Sequence, residues 1–424
     1  MDLVFEKSVL NGSVQIPPSK SIAHRAIIAS SIAVGTNYIN NISYSDDILS
    51  TISAMENFGV VFEKEYNRLK VVSKGLEMID RNFYFNESGS TVRFVIPLAL
   101  GFGGEFYFDG DLPLRKRPLS AYFEMFEDHK IQYDRVEPEL NLPLKVKGKL
   151  ENSVYYILGD MSSQFITGML FGLSNVKGES VVGVLNALES KRYIDLTISV
   201  LKDFGCVIEN IEYQTFLVKK SEYNNIDYTV EGDYSQVAFF VLAGAIGRDI
   251  IVKGLNINSI QGDKDIIGIF EKFGGKVTKL GDGYIFHKSK LKGVSSGINV
   301  NDVPDLAPVI FALASIANGE TKVYGIERLR IKESDRAKTM AIELSKLGAN
   351  VKDKGSYMQI KGVRKLKGGV TINSHNDHRV AMTLAVLSSI CNEKVTILGC
   401  ECVQKSYPKF FEDLKEINSK FSEL

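Results

Sequence analysis

The chain has 424 residues, with 51 basic and 51 acidic side chains and four cysteines. That length exceeds one ordinary core and predicts two domains. The even charge balance excludes a general nucleic-acid or membrane-surface binder, so any polyanion site must be a local cluster. Cys206, Cys391, Cys400 and Cys402 form no CxxC pair, which predicts a reduced, cytoplasmic protein without structural zinc. No signal peptide is read at MDLVFEKSVL, and no apolar run reaches the ~18 residues of a membrane span.

Taken in order, Leu3 to Ile16 reads as two strands around Asn11-Gly12, the strongest short hairpin signal. Pro17-Pro18 stops that run from pairing further. Ser19-Lys20-Ser21 then opens a helical pattern (Ile27, Ile28, Ser31, Ile32), with Arg25 one turn in. A lysine and hydroxyls at a helix start, where free N–H groups point outward, make a site for an oxyanion. A capped, solvated helix start is the plainer alternative.

A longer pattern recurs downstream: an amphipathic helix, an aromatic or Leu, a Gly, then a short strand and a second strand rich in Lys. It is read at Met55–Gly59, Leu201–Gly205, Phe270–Gly274 and Leu344–Gly348, with a weaker copy at Phe126–Lys130 that lacks the Gly. The hairpins end in LKVVSKG, LKVKGKL, FLVKKS, YIFHKS and YMQIKG. Gly suits a helix end where the backbone turns to positive φ. Copies lie about 70 residues apart, the mark of a repeated supersecondary unit, and six units fill the chain. The sixth (YPKFFEDLKEINSKF) reaches its helix end without a hairpin, so the N-terminal strands are expected to complete the C-terminal half. The chain then crosses twice, near residues 17–21 and 231–233. One domain is predicted from 1–17 plus 233–424, the other from 18–232.

The unit helices read as apolar on more than one face: in Asp335–Gly348 the residues Ala337, Met340, Leu344 and Leu347 follow i, i+3, i+7 and i+10, with Ala341 beside them. Such helices want burial under covering sheets. The fold class predicted is α/β: two inside-out domains of three units each, with helix N-termini facing a cleft between them.

Basic and small polar residues recur where these helices begin. Glu87–Arg93 precedes FVIPLALGF, and Leu114-Arg115-Lys116-Arg117-Pro118 precedes SAYFEMFED, with Pro early in the helix. Ser162-Ser163-Gln164, Ser190-Lys191-Arg192-Tyr193, Arg330–Arg336, Asn376-Asp377-His378-Arg379 and Lys405-Ser406-Tyr407-Pro408 do the same. Singly, each reads as an ordinary cap. Jointly they put cations at one end of nearly every unit in a chain of zero net charge, which favours a site for several anionic groups.

The motifs PPSKSIAHR, ESGSTVR, LRKRPL, SSQF, EGDYSQVAFF, VPDLAP, RIKESDR, DHRVAM and CVQKSYPKFFE run in order from residue 17 to 412. In this order they resemble the successive motifs of the 5-enolpyruvylshikimate-3-phosphate (EPSP) synthase family. The resemblance implies the enolpyruvyl transferase fold, with βαβαββ-type units. It also implies transfer of the enolpyruvyl group of phosphoenolpyruvate to the 5-hydroxyl of shikimate 3-phosphate, with release of phosphate. By resemblance, Lys20, Gly89, Arg117, Gln164, Arg336, Arg379 and Lys405 contact phosphoenolpyruvate. Lys20, Ser21, Arg25, Ser162, Ser163, Gln164, Ser190, Tyr193, Asp305, Arg328 and Lys332 contact shikimate 3-phosphate. Both substrates are polyanions, so concentrated positive charge is what their meeting requires. Arginine matches carboxylate and phosphate with two parallel donors.

Asp305 and Glu333 match the family's carboxylates, the first on the hydroxyl side and the second in proton transfer. Lys332 is expected to bind the 5-hydroxyl, and His378 to assist Glu333 or merely to orient it; the resemblance also implies Lys20 as a catalytic residue. Asp305 also reads as a turn residue after Pro304, and His378 as a capping and packing residue. Two departures stand out: Glu87 and Arg328 each replace a common Asn, and the two are candidates to offset one another. Gly89 keeps the small residue that leaves room for the inhibitor glyphosate, so competition against phosphoenolpyruvate is expected.

The sister transferase acting on UDP-N-acetylglucosamine begins with Lys-Asn where Lys20-Ser21 stands and carries an early Cys; none precedes Cys206 here. An RNA-end-processing enzyme built from related repeats lacks its nucleotide motif, and a non-catalytic polyanion binder leaves Asp305 and Glu333 unexplained. No cofactor is implied, and Arg379 beside His375, Asp377 and His378 argues against a bound dication. The partners expected are the two small substrates, with no nucleic acid and no membrane, acting on a monomer. Closure about 17–21 and 231–233 is expected as substrates bind.

Overall fold

Each repeat folds as two helices against a four-stranded sheet, and there are six such sheets. The computed structural model describes residues 1–424. The unit from 154 to 219 shows the plan. Strand Val154–Leu158 leads through helix Ser163–Leu173 to the parallel strand Glu179–Leu185. Helix Lys191–Asp203 then leads to the hairpin Ile208–Ile211 and Thr215–Lys219. The last strand lies inside the sheet, antiparallel to Glu179–Leu185 (Val182 opposite Phe216). This βαβαββ order explains the recurring Lys-rich segment. It is the inner strand, with alternate residues such as Phe216 and Val218 fully buried and Lys219 exposed.

The recurring Gly sits just beyond the second helix of a unit. Gly59, Gly205, Gly274 and Gly348 adopt φ of 77°, 86°, 79° and 94°. The following N–H reaches back to close the helix, as from Cys206 to Leu201 (2.9 Å) and Ala349 to Leu344 (3.0 Å). The Gly-less copy keeps this geometry. Lys130 takes φ 54° and Ile131 N–H donates to the Phe126 carbonyl. In the sixth unit Asn418 fills the place at φ 68°.

Burial separates the two helices of a unit. Gly89–Leu100, Ser163–Leu173, Tyr234–Ile246, Ala307–Ile316 and His378–Ser388 are buried almost all round. The helix Arg336–Lys346 presents one buried face and leaves Lys338 and Ile342 exposed, so the all-round burial expected of it belongs to the first helices. Several helices also begin earlier than expected. Gly89 to Arg93 are already helical, whereas Pro118 lies before the helix Ser120–Asp128 and not in its first turn.

Compact packing divides the chain into Met1–Pro17 with Glu231–Leu424, and Pro18–Val230. The strands at the two crossings are exchanged. Gly12–Gln15 runs parallel to Ile250–Lys253, while Asp227–Thr229 runs parallel to Tyr38–Asn40. The crossings are adjacent, with Asp233 N–H donating to the Pro17 carbonyl (2.9 Å).

Two expectations at the N-terminus are corrected. Leu3–Glu6 and Gly12–Gln15 form no hairpin, since they belong to different sheets. Asn11 N–H instead donates to Ile417 and the Leu10 carbonyl accepts from Arg248, so long-range bonds displace the Asn-Gly turn. The sixth unit also supplies one strand of its own, Lys420–Glu423. Leu3–Glu6 alone fills the inner place beside it.

Candidate active site

Buried first helices begin in backbone N–H groups that need acceptors, and the chain places side chains there to cap them. Asp377 caps helix His378–Ser388 through Arg379 and Val380 N–H, Asp233 caps Tyr234–Ile246, and Ser88 and Ser162 cap Gly89–Leu100 and Ser163–Leu173. The functional residues cluster around these starts, in a separate group within each compact unit.

In the unit containing residues 231–424, Arg336 is 1% exposed and bonded to three carboxylates. Its Nε donates to Asp377 Oδ2 (2.8 Å), Nη1 to Asp305 Oδ1 (2.9 Å) and Nη2 to Glu333 Oε2 (2.5 Å). Arg379 Nη2 lies 2.9 Å from Asp305 Oδ2 and donates to Ser235 Oγ at 3.1 Å. Lys332 Nζ approaches Asp305 Oδ1 at 4.0 Å. Three cations thus face three carboxylates in largely buried surroundings, where removing any one leaves its partners uncompensated.

The charge states follow from that geometry. Burial works to raise the Asp305 carboxyl, but Arg379, Lys332 and Arg336 outweigh it and hold it well below the usual carboxylate range. Burial opposes the Arg336 charge, yet Asp377, Glu333 and Asp305 hold the guanidinium protonated more firmly than usual. Lys332 is pushed down to about 8, chiefly by burial; Asp305 opposes the shift while Arg328 and Arg336 add to it. Arg328 is buried in the turn just before Lys332. Lys405 Nζ donates to the Asn376 carbonyl (2.8 Å), beside Asp377, and His378 is buried at the start of the same helix.

In the unit of residues 18–230, Lys20 Nζ pairs with Asp47 Oδ2 (2.5 Å). Arg25 is fixed by three bonds, to Thr197 Oγ1, the Ser21 carbonyl and the Tyr193 carbonyl. It also lies over the Phe94 ring, and burial lowers it to about 10. Ser190, at the start of helix Lys191–Asp203, adopts φ 54°. Gln164 Oε1 accepts from Arg93 Nη1 (2.6 Å) and its Nε2 donates to Ser90 (2.9 Å). Ser162 caps Gln164 N–H, and Ser163 is buried beside it. Gly89 abuts Arg117, since a β-carbon there would fall 2.5 Å from Arg117 Cζ.

The expected residues therefore assemble as two groups. Asp305, Glu333, Lys332, Arg336 and Arg379 form one contiguous network, with Arg328, Lys405 and His378 close in the fold. Lys20, Ser21, Arg25, Tyr193, Ser190, Ser162, Ser163, Gln164, Gly89 and Arg117 belong to the other unit. Glu87 and Arg328 lie in different units. Sequence reasoning missed Arg93, Asp47, Ser235 and Asp377 as members. An arginine inside the apolar run TVRFVIPLAL was the available signal for Arg93; Asp47 reads as an ordinary first-turn acid. No group of three or more His, Cys, Asp and Glu side chains gathers as metal ligands, and the four cysteines are buried free thiols.

Two sets of three βαβαββ units with cations at the starts of buried helices define an enolpyruvyl transferase fold. EPSP synthase from Acinetobacter baumannii superposes with a TM-score of 0.81 at 24% identity, covering 100% of both chains. The enolpyruvyl transferase NikO from Streptomyces tendae gives 0.79 at 14% identity, over 99% of this chain and 98% of that one. The family EPSP synthase (3-phosphoshikimate 1-carboxyvinyltransferase) matches residues 4–414. The 3-phosphoshikimate 1-carboxyvinyltransferase of Clostridium novyi is 44% identical over 98% of this chain and 97% of its own. That of Clostridium botulinum (strain Alaska E43) is 42% identical over 98% and 96%. The chain belongs to the EPSP synthase family.

Proposed function

We propose that the protein transfers the enolpyruvyl group of phosphoenolpyruvate to the 5-hydroxyl of shikimate 3-phosphate and releases phosphate. The observation that carries this reading is the network of Arg336, Arg379 and Lys332 around Asp305 and Glu333 in a chain of this family. The 5-hydroxyl oxygen attacks C2 of phosphoenolpyruvate while C3 gains a proton, giving a tetrahedral intermediate. Loss of a C3 proton and of phosphate then yields the enolpyruvyl ether.

Arg336, Arg379 and Lys405 in one unit are assigned to phosphoenolpyruvate, as are Lys20, Gly89, Arg117 and Gln164 in the other. Arg25, Ser21, Ser162, Ser163, Ser190, Tyr193 and Arg328 hold shikimate 3-phosphate. Asp305 accepts the 5-hydroxyl proton, and Lys332 stabilises the oxygen as that proton leaves. At rest Asp305 is a weak base, because Arg336 and Arg379 are bonded to it. Substrate anions drawing on the same guanidinium groups raise its basicity when the proton must move. Glu333, beside Arg336, serves the proton exchange at C3, with His378 supporting it.

Phosphate release assayed with phosphoenolpyruvate and either shikimate 3-phosphate or UDP-N-acetylglucosamine tests the reading. Release only with the second acceptor refutes it. The protein acts in the cytoplasm, a reading supported by its four free, buried cysteines and open to fractionation, and it acts as a monomer, which light scattering tests. No helix is long and apolar enough to cross a membrane.

A further inference from the structure

The unit that carries Asp305 and Arg379 has a concave feature at the far ends of the helices that begin near them. A cavity of about 750 Å³ lies where Tyr234–Ile246, Ala307–Ile316 and His378–Ser388 terminate. These helices run 10 to 13 residues, so the cavity is about 15–20 Å from the helix starts at 1.5 Å per residue. Its floor is apolar and repeats with the fold: Ile246, Ile316 and Ile390 each come from the end of one helix.

The rim repeats as well. One inner strand of each sheet in the unit, Leu3–Glu6, Gly283–His287 or Tyr357–Lys361, runs on past a helix end and carries a cation there. Lys7 follows Leu3–Glu6, Lys288 follows Gly283–His287, and Arg364 and Lys365 come shortly after Tyr357–Lys361. Lys420 adds a fifth cation, and no carboxylate lines the cavity, in a chain whose net charge is zero. These cations are not needed to close the helices. Backbone N–H groups of the same segments already do so, from Ser8 to Ser389 O (2.9 Å), Ser289 to Ala245 O (3.3 Å) and Val363 to Ser315 O (2.9 Å). The one side-chain bond seen from these cations to another lining residue is a long one, from Lys7 Nζ to Asn392 Oδ1 (3.5 Å).

We propose that this cavity is a second ligand site, taking a small organic anion with an apolar body, such as an aryl or alkyl phosphate monoester. The three isoleucines would receive the body and the ring of ammonium and guanidinium groups the charge. Its size suits a ligand of that kind, since small-molecule pockets span roughly 300–1,000 Å³. The inference is independent of the reaction proposed above.

Calorimetric titration of the full chain with 1-naphthyl phosphate tests it. The parent is expected to show a site that the double variant Lys288→Glu/Arg364→Glu loses or weakens at least tenfold. Arg364→Lys retains it, and binding elsewhere persists in all three. Inorganic phosphate, which lacks the apolar body, binds at least tenfold more weakly, and Ile316→Ser weakens the naphthyl ester. Thermal melting shows whether each variant is folded. Superimposable isotherms for the parent and the folded double variant would overturn the proposal. So would equal affinity for inorganic phosphate, which marks a plain anion site.

Discussion

Lys332 and Gly89 bring the candidate site down to single side chains. Partly buried beside Arg328 and Arg336, Lys332 is pushed down to about 8, against 10.5 for an ordinary lysine. If its charge stabilises the developing alkoxide, kcat/KM for shikimate 3-phosphate falls as pH rises through about 8. Lys332→Arg, which keeps its charge, moves that limb to higher pH; a limb that stays put in the variant assigns it to another group. The linkage has the opposite sign. Between about 8 and 10.5 the unfolded chain binds the proton that the folded chain has lost, so this group makes stability rise with pH there. Gly89 makes a different point. A methyl at this position overlaps the Arg117 guanidinium, so Gly89→Ala must displace it. The expected result is a KM for phosphoenolpyruvate raised tenfold or more, with that for shikimate 3-phosphate changed by less than threefold. Glyphosate inhibition weakens in parallel. Equal loss for both substrates would place Arg117 elsewhere in the chemistry. Lys20, Arg336 and Arg379 were legible in sequence because each stands in the first turn of a helix, whereas Arg93 lies inside one. Asp47 and Asp377 were not, because an acid in or before a first turn has a sufficient local reason to be there.

Among the elements, the helix–Gly–hairpin repeat was legible because its geometry is local. A left-handed residue must follow the second helix, and Gly is the residue that adopts it without strain. The copy at Phe126–Lys130 tests that account. Lys130 holds φ 54° in the same hydrogen-bonded ending as its Gly counterparts. A non-Gly residue there costs roughly 1–2 kcal/mol, partly offset by the entropy that Gly loses on folding. Lys130→Gly is therefore expected to stabilise the protein by about 0.5–1 kcal/mol, read as a higher denaturant midpoint at unchanged slope. A lower midpoint would show that the lysine side chain contributes more than its backbone strain removes. The N-terminal strands were misread for the complementary reason. Asn11-Gly12 carries a strong local turn signal, but its backbone groups pair with Ile417 and the neighbouring Leu10 with Arg248, hundreds of residues away. Local chemistry cannot reveal a competitor at that separation.

At the scale of the molecule, the exchanged strands make the two units unequal in what they need from the rest of the chain. The unit Pro18–Val230 contains every strand of its three sheets, including Asp227–Thr229, which closes the first beside Tyr38–Asn40. The other unit has two of its three sheets completed by residues at the far end of the sequence. Leu3–Glu6 lies between Val395–Leu398 and Lys420–Glu423 as an inner strand, with Phe5 fully buried, and Gly12–Gln15 forms an edge beside Ile250–Lys253. An inner strand leaves two rows of backbone groups unpaired when removed, whereas an edge strand leaves one. Residues 18–230 expressed alone are thus expected to melt as one cooperative domain. Residues 231–424 alone should remain partly unfolded, and fusion of residues 1–17 after Leu424 through a flexible linker should restore a cooperative transition. A substitution Phe5→Asp in that fusion should abolish the rescue, because it buries an unpaired carboxylate in the core. Calorimetry of the three proteins decides the matter: a cooperative transition in 231–424 without the added strands would mean that the inner place can be left empty, and that the crossing of the chain serves connection and not stability.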